Sequence, residues 1–114
     1  GDDGLTLAFL AYGASGVIGV ATHWTGHEHQ AMITAFKNGD IATARKYNDM
    51  LLESYAYETG DDNPNPIPSK VMMNYLGFNT GECRLPMGPP PAGLVDRART
   101  VHENLQAARA ALSK

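Results

Sequence analysis

Val17-Ile18-Gly19-Val20-Ala21 is the feature that most restricts what this chain of 114 residues can become. A short, nearly unbroken apolar run entered through Gly13-Ala14-Ser15-Gly16 suits a strand buried on both faces, as parallel sheets require. Such a strand needs a hydrogen-bonded neighbour along its edges, and no other segment here reads as one. The sequence therefore predicts a single strand over about residues 16–22, with its partners in further polypeptide. Alone, its open edges would invite aggregation. The chain also opens on Gly-Asp-Asp, without an initiating Met and directly before a helical pattern. A segment of a longer protein, starting just past a strand, is the expectation.

The rest of the chain is patterned as helix. Leu5, Phe9 and Tyr12, with Leu10, mark a short helix that ends near Gly13, and Asp2 or Asp3 can cap it. Thr25 or Gly26 opens a second helix, with Ala31, Met32, Ala35 and Phe36 on its apolar side. Asn38-Gly39-Asp40 stops that helix and caps the next, over about residues 41–57. Pro64 and Pro66 break the pattern before a helix at 68–76 closed by Gly77. The last helix starts at Pro89-Pro90-Pro91, with an apolar stripe at Leu94, Ala98, Val101, Leu105, Ala108 and Leu112. Helix, glycine turn and buried strand together make one unit of a βα-repeat fold.

Composition excludes several classes. The nine Lys and Arg residues are scattered within a net charge of −3, so no basic stripe offers itself to nucleic acid or to an anionic membrane. No run of about 18 apolar residues could span a bilayer. One cysteine, Cys83, forms no internal disulfide framework, and a reducing cytoplasm fits.

Local chemistry is sparse. His23 and His27 are spaced like two ligands on one helical face, with Glu28 and His29 beside them, but the H-E-x-x-H order of a zinc hydrolase is absent. Loop and first-turn polar residues are the expected reading, and no metal is expected. Gly13 to Gly16 follow a helix and precede a strand, the reverse of a phosphate cradle. Asp2 and Asp3 read locally as a helix cap rather than paired catalytic carboxylates, and Asp61-Asp62 as solvated loop. A free-standing helical interaction module and a histidine-based metal module remain open as alternatives at this level.

Three segments in order resemble the dihydrodipicolinate synthase and N-acetylneuraminate lyase family. They are Gly1-Asp2-Asp3 with GASGVIGVATH (13–23), then NGDIATAR (38–45), then NPIPSK (65–70) with LGF (76–78) and CRLPMGP (83–89). The resemblance implies an α/β fold, the C-terminal part of a (β/α)8 barrel with its last strand, followed by a helical extension. Residues 1–39 would close the barrel and residues 40–114 form the extension. A barrel of about 250 residues does not fit in this chain.

Family members hold pyruvate as a Schiff base on a lysine, and its enamine attacks an aldehyde, aspartate semialdehyde for the synthase. No cofactor is implied. Lys37, Lys46, Lys70 and Lys114 fall on predicted helices or at the terminus, so none matches that nucleophile, and the tyrosine relay also lies upstream. No catalytic residue is expected here, and the segment alone is expected to be inactive. By resemblance Ile18 places its backbone beside pyruvate, and Gly1 and Asp2 line the same pocket mouth. Gly19 and Ala21-Thr22-His23 depart from the more usual Ser and Thr-Ala-Asn, and Gly60-Asp61-Asp62-Asn63 resembles an insertion. The resemblance further implies a homotetramer or homodimer, and leaves a neuraminate lyase or sugar-acid aldolase as the alternative substrate class.

Overall fold

The computed structural model describes residues 1–113, so Lys114 lies outside the described residues. A 3-10 turn at Asp3–Leu5 leads into α1 (Thr6–Ala11), α2 (Thr22–Lys37), α3 (Ile41–Glu58), α4 (Ile67–Tyr75) and α5 (Leu94–Leu112). Contacts divide the chain into two compact units, Gly1–Tyr55 and the residues from Ala56 onward. No helix among the described residues is long and apolar enough to cross a membrane.

The first unit is built on one helical hairpin. Met32 and Ala35 of α2 pack with Ala44 and Leu51 of α3, and Leu7, Phe36, Tyr47 and Tyr55 close around them. Complete burial of Met32 and Leu51 contributes roughly 1.5–3 kcal/mol each. The hairpin turn follows the sequence closely. Gly39, at φ 79°, donates to Phe36 O at 3.0 Å, and Asp40 N donates to Ala35 O at 2.9 Å. A left-handed glycine thus satisfies the last carbonyls of α2. Asp40 Oδ1 then accepts from Thr43 N at 3.0 Å. Bonding to Thr43 holds the Asp40 carboxyl below the usual carboxylate range.

Three expectations need correction. The run predicted as a strand over 16–22 forms no strand, and no strand occurs among the described residues. A β ladder is a pair property, and no second strand is present among the described residues to supply it. Residues 14–19 lie outside regular structure, with Ile18 left 95% exposed. Second, α2 begins at Thr22 rather than at Thr25 or Gly26. Thr25 is a kink within it, at φ −122° and ψ 20°, so the local signal there marked a bend and not a start. Third, α5 begins at Leu94, after the three prolines; Gly93, at φ 85°, is its N-cap.

In the second unit α4 packs on α5. Ile67, Val71 and Met72 are buried on one helix, and Leu94, Ala98, Val101 and Leu105 on the other. The apolar stripe read from sequence is thus covered along most of its length, and Leu112 at its end stays 47% exposed. The segment after Gly77 is fastened to α4 by polar side chains. Lys70 Nζ donates to Thr80 O at 3.2 Å and Glu82 O at 3.0 Å. Asn74 accepts from Thr80 N at 2.8 Å and donates to Gly81 O at 3.0 Å.

Tyr57, on the last turn of α3, is 1% exposed and donates to Pro68 O at 2.8 Å. The Arg97 guanidinium lies 5.7 Å from its ring centre and donates to Ala56 O at 2.8 Å. Burial pushes the Tyr57 phenol well above its ordinary range, since a phenolate would lose its hydration, and the Arg97 charge offsets this only in part. The unfolded chain releases that proton near pH 10 while the folded chain keeps it, so the Tyr57 contribution is constant below about pH 10 and declines above it. Ultraviolet titration should find the Tyr57 phenol silent until the chain unfolds. Tyr57→Phe should abolish that silent step and lower stability by about 1–2 kcal/mol, from the lost bond to Pro68 O.

Candidate functional site

A concavity of about 790 Å3 lies in the first unit and is lined by the residues that surround the apolar run. Thr6, Phe9 and Tyr12 recur every third residue along and just beyond α1 and present one face to it. Leu10, next along α1, is buried at 3% exposure. Residues 13–18 form the facing wall, and Gly1 and Asp2 close one end. The three positions selected from sequence, Gly1, Asp2 and Ile18, therefore meet at one place. The Gly1 amine donates to Ile18 O at 3.1 Å.

Chemically this wall is aromatic side chain on one side and exposed backbone on the other. Asp2 is its one charged side chain, and no lysine lines it. Lys37 closes α2, Lys46 lies on α3, and Lys70 belongs to the second unit, where its amine is engaged by Thr80 O and Glu82 O. The concavity carries no amine side chain to form an imine.

Asp3 does what neither cap reading foresaw. Asp2 stands at the N-cap of the 3-10 turn without a side-chain capping bond. Asp3 is 2% exposed, and its carboxylate reaches across to the start of α2. It accepts from Val20 N at 3.1 and 3.0 Å and from Ala21 N at 2.7 Å. These amides precede the first turn of α2, where backbone donors lack intrahelical partners. Thr6 Oγ1 donates to Asp3 O at 2.7 Å, and Thr22 Oγ1 to Gly19 O at 2.8 Å. A Cβ on Gly19 would sit 2.5 Å from Asp3 Oδ1, so the approach requires glycine there. The available signal in the sequence was the pairing of a buried-type acid three residues before Thr6 with a glycine at position 19.

The histidines separate. His23 and His27 are exposed, whereas His29 is 2% exposed and faces inward. Among the described residues no group of three or more His, Cys, Asp or Glu is placed to hold a metal ion. The His29 ring instead joins the Thr25 kink to α3. Thr25 Oγ1 donates its only proton to Ala21 O at 2.7 Å. His29 Nδ1 lies 3.0 Å from that hydroxyl and 3.1 Å from Thr25 O. The hydroxyl hydrogen is already committed and a carbonyl has none, so Nδ1 must carry the hydrogen. In the neutral ring Nε2 is then an acceptor, and it faces the Tyr55 hydroxyl at 3.4 Å, with the two rings edge to face.

Comparison with known proteins follows the same segments. The model of the dihydrodipicolinate synthetase family matches residues 1–107. A 4-hydroxy-tetrahydrodipicolinate synthase of Listeria monocytogenes is 40% identical over 116 residues, which covers 100% of this chain and 36% of that protein. One from Synechococcus elongatus is 41% identical over 92 residues, covering 81% of this chain and 30% of that protein. A crystal structure of a dihydrodipicolinate synthase from Bacillus anthracis superposes with a TM-score of 0.81 at 35% identity, covering 90% of this chain and 35% of that one. The chain thus spans 36% of the length of the first of these relatives.

The histidine assignment can be checked directly. Long-range 1H–15N correlation of the imidazole rings in neutral solution should show His29 protonated at Nδ1 and bare at Nε2. The opposite pattern would mean that the Thr25 hydroxyl is not bonded to Ala21 O.

Proposed function

The chain belongs to the dihydrodipicolinate synthetase family, and from that premise we propose that it is the C-terminal segment of a 4-hydroxy-tetrahydrodipicolinate synthase. In this reading the whole protein condenses pyruvate with aspartate semialdehyde through a Schiff base, in the diaminopimelate branch of lysine biosynthesis. It is a cytoplasmic homotetramer or homodimer. Residues 1–39 are the end of the (β/α)8 barrel, residues 40–114 its helical extension.

The observation that carries this reading is the meeting of Gly1, Asp2 and Ile18 around one concavity, within a stretch matched almost throughout by the family model. Barrel active sites are built at the C-terminal ends of the strands, from loops and strand ends that come from many separate repeats. One repeat's share of such a site is a partial wall, open toward the others. The concavity here has that character: exposed backbone at residues 13–18, two aromatic rings, and no amine nucleophile. Exposure of Ile18 at 95% and Tyr12 at 90% likewise supports a surface made to be covered by further polypeptide.

The roles follow from these groups. Pyruvate binds beside the Ile18 backbone, which presents fixed peptide dipoles to it. The lysine that forms the imine is supplied by an upstream strand, roughly 25 positions before Gly1 by the length of a βαβ repeat. Such an amine reacts as its free base, a form favoured by an apolar surround. Ile18 contributes to that surround by excluding water from the imine. Gly1 and Asp2 line the mouth through which the aldehyde enters.

The test uses the full-length polypeptide. Borohydride reduction in the presence of pyruvate should add one pyruvate-derived mass to a peptide outside residues 1–114, and aspartate semialdehyde should be consumed in preference to N-acetylmannosamine or sugar-acid-derived aldehydes. An adduct on Lys37, Lys46 or Lys70, or turnover of a sugar aldehyde alone, would contradict the reading.

A further inference from the structure

We propose that Asp3 is a positioning residue for the wall of this concavity, and that its carboxylate, admitted by the missing side chain at Gly19, fixes where the Ile18 peptide meets a bound 2-oxo acid. The inference rests on the reading of the concavity as part of a pyruvate site, and goes beyond it by naming what places the wall.

Residues 14–19 have no ladder to define their path, so their position depends on tethers at the two ends and on the Gly1 amine, which donates to Ile18 O at 3.1 Å. At one end Ala14 N donates to Phe9 O at 2.9 Å. At the other the Asp3 carboxylate accepts from Val20 N and Ala21 N, at 2.7 to 3.1 Å. A peptide unit is planar, so holding Val20 N holds the Gly19 carbonyl with it. That carbonyl also accepts from Thr22 Oγ1 at 2.8 Å, which pins the same plane from the helix side. Between this plane and the Ile18 carbonyl stand only the two backbone torsions of Gly19. A shift of the carboxylate therefore reaches the Ile18 carbonyl through those two torsions alone.

The carboxylate is itself immobilised. Asp3 is 2% exposed, and Thr6 Oγ1 holds its backbone carbonyl at 2.7 Å. A Cβ at position 19 would lie 2.5 to 2.8 Å from the Asp3 carboxyl atoms, closer than such contacts are found. Gly19 and Asp3 are thus two halves of one device, a pocket in the backbone and the acid that fills it. Asp3 does not line the concavity, so any effect it has on a ligand there is exerted through residues 18–20.

The experiment uses the full-length enzyme with pyruvate as the varied substrate. Asp3→Asn keeps the size of the side chain but turns an amide N–H toward backbone N–H donors or leaves one unmet. The pyruvate KM should rise about tenfold while kcat stays within about threefold, a split a merely looser fold would not produce. Gly19→Ala displaces the same carboxylate from the other side and should give the same split. The two together should be no worse than the worse of the pair, because both act on one contact. Should Asp3→Asn fail to fold, Gly19→Ala carries the test. Unchanged pyruvate KM in folded variants, or losses that simply add, overturn the inference while borohydride trapping of the unsubstituted enzyme leaves the pyruvate reading intact. If the unsubstituted enzyme is not trapped by pyruvate and borohydride, the reading fails and takes the inference with it.

Discussion

Between the Asp3 carboxylate and the amides of Val20 and Ala21 runs a set of bonds spanning 17 and 18 residues of sequence. It joins the 3-10 turn to the start of α2 and closes the loop that contains the apolar run. Bonds to a charged acceptor are worth roughly 1.5–3 kcal/mol, more than most neutral ones, and this acceptor is shielded from water. Without it, α1 and α2 would be joined by residues 14–19 with no regular hydrogen bonding to hold them. The course of that wall, the first turn of α2 and the shape of the concavity all depend on one side chain reaching one glycine.

The same economy recurs along α2. Ala21 N is held by Asp3, and Ala21 O by the Thr25 hydroxyl. Thr25 is held in turn by His29, whose far edge meets Tyr55 of α3. Trp24 Nε1 donates to Ser54 Oγ at 3.0 Å in the same buried layer. Burying so many polar groups is tolerable because each finds a partner, and the directions of these bonds fix the kink at Thr25 where apolar packing alone would not.

How much of this could be read in advance differs by the range of the interaction. The turn at Asn38-Gly39-Asp40 was legible because its physics is local: a left-handed glycine, two carbonyls within four residues, and an acid beside the next helix. The stripe on α5 was legible because burial repeats along one helix. The start of α2 was not, since its capping acid lies far away in sequence and Thr25 imitates a helix start. The start of α5 was displaced because Gly93, two residues past the prolines, takes a left-handed conformation at φ 85° and stands as the N-cap. The strand was legible as hydrophobic pattern but not as structure, for a ladder needs a second strand. Around the concavity, Gly1, Asp2 and Ile18 had been singled out by family resemblance, while Phe9 and Tyr12 were read only as helix-forming positions. The role of Asp3 needed the fold.

Amide hydrogen exchange resolved by residue on the monomeric chain tests the clamp most directly. The account predicts slowed exchange at Val20 and Ala21, lost in Asp3→Ala, with residues 17–19 exchanging close to the rates of an unstructured peptide. Equal protection from 17 through 21, or protection at Val20 and Ala21 that survives removal of the Asp3 carboxylate, would contradict it.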